Sequence, residues 1–276
     1  MLKSFTTLEK NEIESIAIGG FDGVHVAHQI LLSKLTDKGA LLIIHRGGLG
    51  LTPKEERCHY HDKRCFFLEL EDIKQVEAED FVTLLLQEFP NLQKIVVGYD
   101  FHFGTGRKGD VTLLKSLFEG EVCVVEEVFH EDISIHSKKI KTFLSEGEVE
   151  KANALLGREY TITGDVIQGQ GIGKERLYPT INMTSGDFFL PQDGVYACWA
   201  DVAGEVYPSV AFIGKRVSTD GAFSIEVHLL DEDFSQEVKK ISLRFVSFLR
   251  ENKKFDILSN LKKQITQDIK EAKLKL

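Results

Sequence analysis

The pattern of apolar residues changes at Gly157, and this change constrains the fold more than any other feature of the chain. Upstream of it, short apolar segments typical of strands alternate with segments whose apolar residues recur at helical spacing. The strand segments are SIAIGG, ALLIIH, KIVVGYDF and EVCVVEEV, and the helical segments are HQILLSKLTDKG, AEDFVTLLLQEF and DVTLLKSLFEG. Strands that alternate with helices predict a parallel sheet with helices packed on it.

Downstream of Gly157 the segments typical of strands follow one another without a helix between them. They are EYTITGDVI, GVYACWADV, EVYPSVAFI, AFSIEVHLL and KKISLRFVSFL. This pattern predicts an antiparallel sandwich or barrel, and the apolar spacing near the end of the chain predicts an amphipathic helix packed on it. Residues 138–156 also have helical spacing. We therefore predict two modules, an α/β module at 1–157 and a β module at 158–276.

The charge of the chain argues against two kinds of partner. Its 276 residues carry a formal net charge of −9, so the surface is expected to repel nucleic acid and anionic lipid. We find no apolar run near the length of a membrane span, and the N-terminal MLKSFTTLEKNEIES is unlike a secretory signal. These features predict a cytoplasmic protein without nucleic-acid or membrane partners. They leave its oligomeric state open.

The four cysteines show no C-x-x-C pair and are expected to be reduced thiols. They are Cys58, Cys65, Cys123 and Cys198. The segment RCHYHDKRC combines two of them with His59 and His61, which are ligand types for zinc. Because the spacing C-x-x-H-x-x-x-C does not match a closed four-ligand site, a solvated loop or the start of a helix is favoured over zinc.

Two histidines three residues apart follow a glycine turn in AIGGFDGVHVAHQILL, residues 17–32. If a helix begins near Val24, His25 and His28 lie on the same face of it. A glycine turn after a strand lets backbone N–H groups approach an anion, and two imidazoles there can donate to a phosphorus transition state. The alternatives are a metal site or two ordinary polar residues, and the Gly-x-Asp-Gly prefix favours phosphate chemistry.

Polar residues in the second module suggest a further phosphate site. Thr180 and Asn182 are two residues apart, so on an extended chain they share one face and offer two oxygen ligands to one Mg²⁺. The glycine-rich GQGIGKERLYPTIN that contains them is not a Walker A loop, and taken alone it is a flexible turn. Glu226 alternates with buried positions in AFSIEVHLL and, taken alone, is a solvated strand carboxylate. Asp100 likewise fits a turn at the end of a strand.

Several of these segments together resemble a known family. IGGFDGVHVAHQILL resembles the F-D-G-x-H-x-G-H signature of the bifunctional riboflavin kinase/FMN adenylyltransferases, the bacterial FAD synthetases. IVVGYDFHFGTGRKGDV, LYPTINM, DGVYACW, IEVHLLD and FLRENKKFDILSNLKKQITQDI resemble later blocks of the same family, in the same order. The resemblance covers most of the chain. It implies a Rossmann-like nucleotidylyltransferase module followed by a riboflavin kinase barrel, with ATP, riboflavin and FMN as substrates.

The resemblance also implies roles for individual residues. In the first module, His25 and His28 would be catalytic. ATP and flavin binding there would fall to Gly19, Phe21, Asp22, Gly23, Asp100, Ser137 and Lys141. In the second module, Glu226 would be the general base that takes a proton from the riboflavin 5′-hydroxyl, and Thr180 and Asn182 would bind Mg²⁺. The loop around the ATP phosphates would include Gly169, Gly171, Gly173 and Lys174.

The chain departs from the family pattern at four places. The family's F-x-P-H-P stretch after the second strand is missing, and IIHRGGLGLTP stands there. Ala27 stands where the family has the glycine of H-x-G-H, and HSKKIK at 136–141 keeps only Ser137 of the motif S-S-T-x-x-R. Phe212 replaces a polar residue in AFIG. These departures leave two alternatives open, a riboflavin kinase with a degenerate adenylyltransferase module and a flavin- or nucleotide-binding protein without turnover.

Overall fold

The computed structural model describes residues 10–168, 178–218, 221–231 and 238–276. The predicted phosphate-loop residues Gly169, Gly171, Gly173 and Lys174 lie outside the described residues. Contacts divide the chain into two units, Met1–Ser137 and Lys138–Leu276.

The first unit is built on a parallel sheet, as the alternation of strands and helices predicted. Its strands are β1 (Ser15–Gly19), β2 (Gly39–His45), β3 (Arg64–Glu69), β4 (Lys94–Gly98) and β5 (Glu121–Val125), in the order β3-β2-β1-β4-β5. Its helices are α1 (Val26–Leu32), α2 (Leu70–Ile73), α3 (Ala78–Glu88) and α4 (Val111–Leu117), with 3₁₀ turns at Lys54–Tyr60 and Thr105–Arg107. A short hairpin joins β6 (Phe129–His130) to β7 (Ile133–Ser134).

Apolar side chains cover the sheet on both faces. Along β1, Ile16 and Ile18 enter one buried cluster, and Ala17 between them enters the other. This alternation explains why the strands are apolar throughout, since a parallel sheet packs helices on each face. The predicted end of the first helix is wrong: α1 ends at Leu32, and Gly39 begins β2. Glycine is needed there because an added Cβ would lie 2.7 Å from Cβ of Leu35.

The second unit contains a closed antiparallel barrel. Its strands are β8 (Tyr160–Ile167), β9 (Ile181–Met183), β10 (Gly194–Val202), β11 (Glu205–Lys215), β12 (Phe223–Leu229) and β13 (Lys240–Glu251), in the order β10-β11-β12-β9-β8-β13. Two helices, α5 (Ser137–Ser145) and α6 (Val149–Leu156), precede the barrel, and α7 (Leu258–Lys275) follows it. Closure removes exposed strand edges and confirms the barrel among the two predicted arrangements.

The helix α6 is joined to the barrel by side-chain hydrogen bonds. Asn153 donates through Nδ2 to the carbonyl oxygen of Phe245 at 2.8 Å, and its Oδ1 accepts from the backbone N–H of Tyr160 at 2.7 Å. The hydroxyl of Ser247 donates to the carboxylate of Glu150 at 2.6 Å. These hydrogen bonds show that α6 is packed as part of the barrel unit. The boundary between functional modules near residue 157 stays a prediction.

A buried ion pair fixes α7 to β13. The guanidinium of Arg250 donates to both carboxylate oxygens of Asp268, at 2.8 and 2.7 Å, and Gln264 donates to the same carboxylate at 2.9 Å. The side chain of Asp268 is 2% exposed. Removal of one partner from a buried pair leaves an uncompensated charge, so this contact is important for the docking of α7.

We expect Asp268→Asn to lower the free energy of unfolding of the second unit by about 3 kcal/mol, because the Arg250 charge stays largely buried without its partner. The one tryptophan of the chain, Trp199, lies in β10, so its fluorescence reports urea unfolding of the barrel. Lys273→Met is the matched control. It breaks the exposed pair that Lys273 forms with Asp231 at 2.7 Å, and such pairs contribute less than about 1 kcal/mol. Equal losses in the two variants would contradict this account.

One expectation about the cysteines is wrong. Cys58 and Cys65 are joined by a disulfide with Cα atoms 6.3 Å apart, so these two are not free thiols in this structure. Cys123 and Cys198 are free, as expected. With both sulfurs bonded to each other, the zinc alternative at this segment loses both of its thiolate ligands.

Among the described residues, no helix combines the length and the apolar character needed to cross a bilayer.

Candidate active sites

The turn between β1 and α1 holds most of the residues predicted for the first site. Its backbone has positive φ at Phe21 (49°), Gly23 (87°) and Val24 (39°). Such angles are unfavourable for residues other than glycine, above all for a β-branched residue such as valine. Phe21 and Val24 adopt them because both side chains are buried in the apolar cluster on one face of the sheet. Backbone strain of this kind is concentrated at functional sites.

The structure brings the two histidines together. Their rings stack with centroids 3.6 Å apart and 15° between the planes. His25 caps α1, since its Nδ1 accepts the backbone N–H of His28 at 3.4 Å. Because Nδ1 accepts, the ring proton of neutral His25 is on Nε2, which can therefore donate to a ligand. His25 is 4% exposed, and the ring of Phe21 lies 5.1 Å from that of His28.

Hydrogen bonds from two other segments hold this turn in place. The backbone N–H of Gly23 donates to the hydroxyl of Thr52 at 2.8 Å, and the backbone N–H of Thr52 donates to the carboxylate of Asp22 at 3.2 Å. The hydroxyl of Ser137 donates to the carbonyl oxygen of Asp22 at 2.7 Å. Ser137 was predicted from a partial motif, whereas nothing in the sequence pointed to Thr52.

Gly19 and Asp100 lie at the ends of neighbouring parallel strands. Gly19 is the last residue of β1, and Asp100 follows β4, which ends at Gly98. The strand order reverses between β1 and β4, and ligands of open α/β sheets bind at such a switch point, beyond the carboxyl ends of the strands. Asp100 is exposed, and its carbonyl oxygen lies 2.9 Å from Nδ1 of His102. This placement supports the predicted site.

Lys141 lies in α5 and belongs to the second unit by contacts. Its amino group lies 5.6 Å from the centroid of the Phe189 ring. The assignment of Lys141 to the nucleotide site stays a prediction.

The barrel brings together the polar residues predicted for the second site. Asn182 in β9 is the register partner of Glu226 in β12, so the two side chains lie on the same face of the barrel wall. Thr180, two residues before Asn182, follows Pro179, whose carbonyl oxygen accepts a hydrogen bond from Nδ1 of His228 at 2.9 Å. That bond ties the segment preceding β9 to the strand that contains Glu226.

Two polar neighbours contact Glu226 and were not predicted from the sequence. The hydroxyl of Ser224 donates to its carboxylate at 3.0 Å, and a guanidinium nitrogen of Arg216 lies 3.6 Å from the same oxygen. Ser224 could have been found from the alternation of β12, because it shares a face with Glu226. Arg216 lies beyond the end of β11, where no periodic pattern singles it out.

A cavity of about 500 Å³ opens beside these residues. Asn182, Ser224 and Arg216 contribute to its wall together with three polar residues that sequence reasoning missed. The three are Gln168, Thr184 and Ser185. A volume of this size suits a small organic ligand. Phe212, which replaces a polar residue of the family pattern, is the register partner of Glu226 on β11.

The fold and these two groups of polar residues define the class: a two-unit protein in which an α/β unit of nucleotidylyltransferase type precedes a barrel of riboflavin kinase type. Residues 51–140 match the family model for FAD synthetase, and residues 156–276 match the family model for riboflavin kinase. The chain belongs to the bifunctional riboflavin kinase/FMN adenylyltransferase family.

Individual relatives extend over nearly the whole chain. The bifunctional riboflavin kinase/FMN adenylyltransferase of Bacillus subtilis (strain 168) is 32% identical, and the match covers 96% of this chain and 93% of that protein. The proteins of the same name from Pseudomonas fluorescens and Escherichia coli (strain K12) are 29% and 28% identical, covering 93% and 92% of this chain and 91% and 90% of their own lengths. The crystal structure of a "macrolide-efflux protein" from Streptococcus pneumoniae is similar with a TM-score of 0.84 and 25% identity, covering 96% of this chain and 97% of that one.

Proposed function

We propose that the chain converts riboflavin to FMN and FMN to FAD, using ATP in both reactions. The second unit phosphorylates riboflavin, and the first unit transfers AMP to FMN with release of pyrophosphate. The substrates are small molecules, with neither nucleic acid nor a membrane as partner. The use of ATP supports a cytoplasmic location.

One observation carries the proposal: a single chain of this family holds two separate groups of polar residues, each suited to a different phosphate reaction. The stacked pair of His25 and His28 offers N–H donors, and the reaction proposed for this site requires no nucleophile from the protein. The pair of Asn182 and Glu226 offers an amide beside a carboxylate, which is a base. Donors suit charge stabilisation, and a carboxylate suits activation of a hydroxyl.

In the kinase reaction, Glu226 takes the proton of the riboflavin 5′-hydroxyl as that oxygen attacks the γ-phosphorus of ATP. The bond to the β–γ bridging oxygen breaks, and ADP leaves. Ser224 and Arg216 orient the carboxylate of Glu226 through the contacts described above. Phosphoryl transfer depends mainly on positioning and charge neutralisation, so one base beside a shaped cavity is sufficient for the proton step.

The donor set next to Glu226 fits Mg²⁺. The Thr180 hydroxyl and the Asn182 amide oxygen are hard, neutral oxygen ligands, and Mg²⁺ usually completes its octahedron with water and substrate phosphates. We propose that these two residues hold the ion that accompanies ATP. When bound, it would neutralise charge on the phosphates. The protein's part is to keep both oxygens on the face that carries Glu226.

In the adenylyl reaction, a phosphate oxygen of FMN attacks the α-phosphorus of ATP, and pyrophosphate leaves. No proton has to be removed from the nucleophile, because the phosphate of FMN is already ionised at pH 7. His25 and His28 donate hydrogen bonds to oxygens on which charge develops, His25 through Nε2. The turn holds both rings in place before substrate binds, which lowers the cost of reorganisation.

Two assays on the full-length chain test the proposal. Riboflavin with ATP and Mg²⁺ should give FMN, and FMN with ATP should give FAD and pyrophosphate, both followed by chromatography of the flavins. FMN formation without FAD formation would favour a kinase with a degenerate first unit. Binding of flavin without either product would favour a protein without turnover.

A further inference from the structure

Arg57 is a buried arginine whose hydrogen-bonding capacity is not met by the residues that the structure describes. It lies in the 3₁₀ turn Lys54–Tyr60 and is 6% exposed. Its Nε and Nη1 atoms are buried without a hydrogen-bond partner among the described residues. Buried polar groups are nearly always paired, and a guanidinium with open donors is an exception that requires an explanation.

The groups around Arg57 place it at the edge of the sheet where the turn between β1 and α1, with His25 and His28, lies. The carboxylates of Asp22, which follows β1, and Glu69, which ends β3, both interact with its charge. The carboxyl ends of parallel strands meet at one edge, so these groups mark the edge to which Gly19 also belongs. Gln29 of α1 donates to the carbonyl oxygen of Tyr60 at 3.3 Å, which joins the turn containing Arg57 to the helix of the histidine pair.

The described groups around Arg57 do not fully compensate its charge. Burial lowers the pKa of its guanidinium, and the carboxylates of Asp22 and Glu69 oppose this effect without cancelling it. Moreover, one oxygen of Asp22 already accepts the backbone N–H of Thr52. An arginine that only stabilised the fold would be expected to have its donors occupied by that fold.

A second unpartnered polar atom lies at the same edge. Nδ1 of His45, the last residue of β2, is buried and has no hydrogen-bond partner among the described residues. His45 alternates with Leu41 and Ile43, which belong to the apolar cluster against which Cys58 and Tyr60, shortly after Arg57 in the chain, also pack. Its register partner on β3 is Glu69. An open polar atom therefore occurs at the end of β2, the strand between β1 and β3, and the two carboxylates that interact with Arg57 lie after β1 and in β3.

We propose that Arg57 binds a phosphoryl group of the substrate in the first unit, with His45 as a neighbouring polar contact. This inference rests on the proposed function for the identity of that substrate. A guanidinium with open N–H donors at Nε and Nη1 can donate charge-assisted hydrogen bonds to the oxygens of a phosphate. The group belongs either to FMN or to the pyrophosphate portion of ATP, and the two sources are separated by experiment.

The test is Arg57→Met, which keeps the length of the side chain and removes the charge. FAD formation from FMN and ATP should show a KM increase of about 10- to 100-fold for one of the two substrates, with riboflavin phosphorylation unchanged. A higher KM for FMN assigns the flavin phosphate, and a higher KM for ATP assigns the nucleotide. Arg57→Lys should recover part of the loss, since it restores charge without the planar fork. Arg64→Met is the control, because Arg64 pairs with Glu12 at 2.8 Å on an exposed surface.

Calorimetric unfolding without ligand separates binding from a structural role. Removal of an uncompensated buried charge should leave the unfolding temperature of Arg57→Met unchanged or higher. A lower unfolding temperature together with unchanged KM values would overturn the assignment and leave the proposed function intact. If the wild-type chain forms no FAD, the proposed function fails for this unit. Arg57 is then tested by calorimetric binding of pyrophosphate and of FMN. Equal affinities of wild type and Arg57→Met for both ligands overturn the inference, and a loss of at least tenfold for one of them supports it.

Discussion

Replacement of His25 or His28 by alanine is expected to lower the rate of FAD formation from FMN about 100- to 1000-fold while riboflavin phosphorylation continues at the wild-type rate. The histidines donate to charge that develops on the phosphate oxygens, and the loss of one such donor has effects of this size. His25→Ala also removes the acceptor of the His28 backbone N–H, so we expect the larger effect at this position.

The measurement compares initial rates of FAD formation and of FMN formation in the same preparation. His130→Ala is the control, because His130 is exposed in the short β6–β7 hairpin. If either histidine variant kept full FAD formation, the stacked pair would have no part in the chemistry. Parallel losses of both activities would instead indicate damage to the fold.

Glu226→Gln is expected to lower FMN formation from riboflavin about 100- to 10,000-fold, which is the range for loss of a general base. Glutamine keeps the shape of the side chain and can still contact Ser224, so the change removes the basic function with little loss of packing. FAD formation from added FMN should be unaffected, because that reaction needs no base at the nucleophile.

Both flavin products are again measured by chromatography, from riboflavin in one assay and from FMN in the other. Glu205→Gln is the matched control, since Glu205 is an exposed carboxylate on the same barrel that accepts a hydrogen bond from Tyr207. Full kinase activity of Glu226→Gln would exclude Glu226 as the base. Equal loss of both reactions would contradict the division of labour between the units.

The general fold could be predicted from residue periodicity. Where the observed elements differ from the predicted ones, the causes are local. Alternation of strands and helices predicted the parallel sheet, and consecutive strands predicted the barrel. The strand β3 was missed, because its apolar run Phe66–Leu68 is short and charged residues flank it. Gly39 was expected to end a helix, yet it is needed at the start of β2, where the chain approaches Leu35 closely.

The candidate sites were predictable where short motifs define them and not where distant segments meet. The spacing of His25 and His28 predicted a shared face, and the rings stack. The positive φ angles of Phe21 and Val24 leave no trace in the sequence, because tertiary burial holds them there. Thr52 and Arg216 likewise reach their partners only through the folded chain, and the disulfide between residues 58 and 65 also forms only there.

The attachment of α6 to the barrel bears on how the kinase half can be isolated. A truncated protein beginning at residue 158 would lack the helix whose Asn153 and Glu150 bond to β8 and β13, and it would uncover barrel surface that is normally shielded. A fragment starting at Lys138 would retain those bonds. Loss of kinase turnover in the shorter piece would therefore reflect a missing scaffold, so a fragment used to isolate the kinase half should include α6.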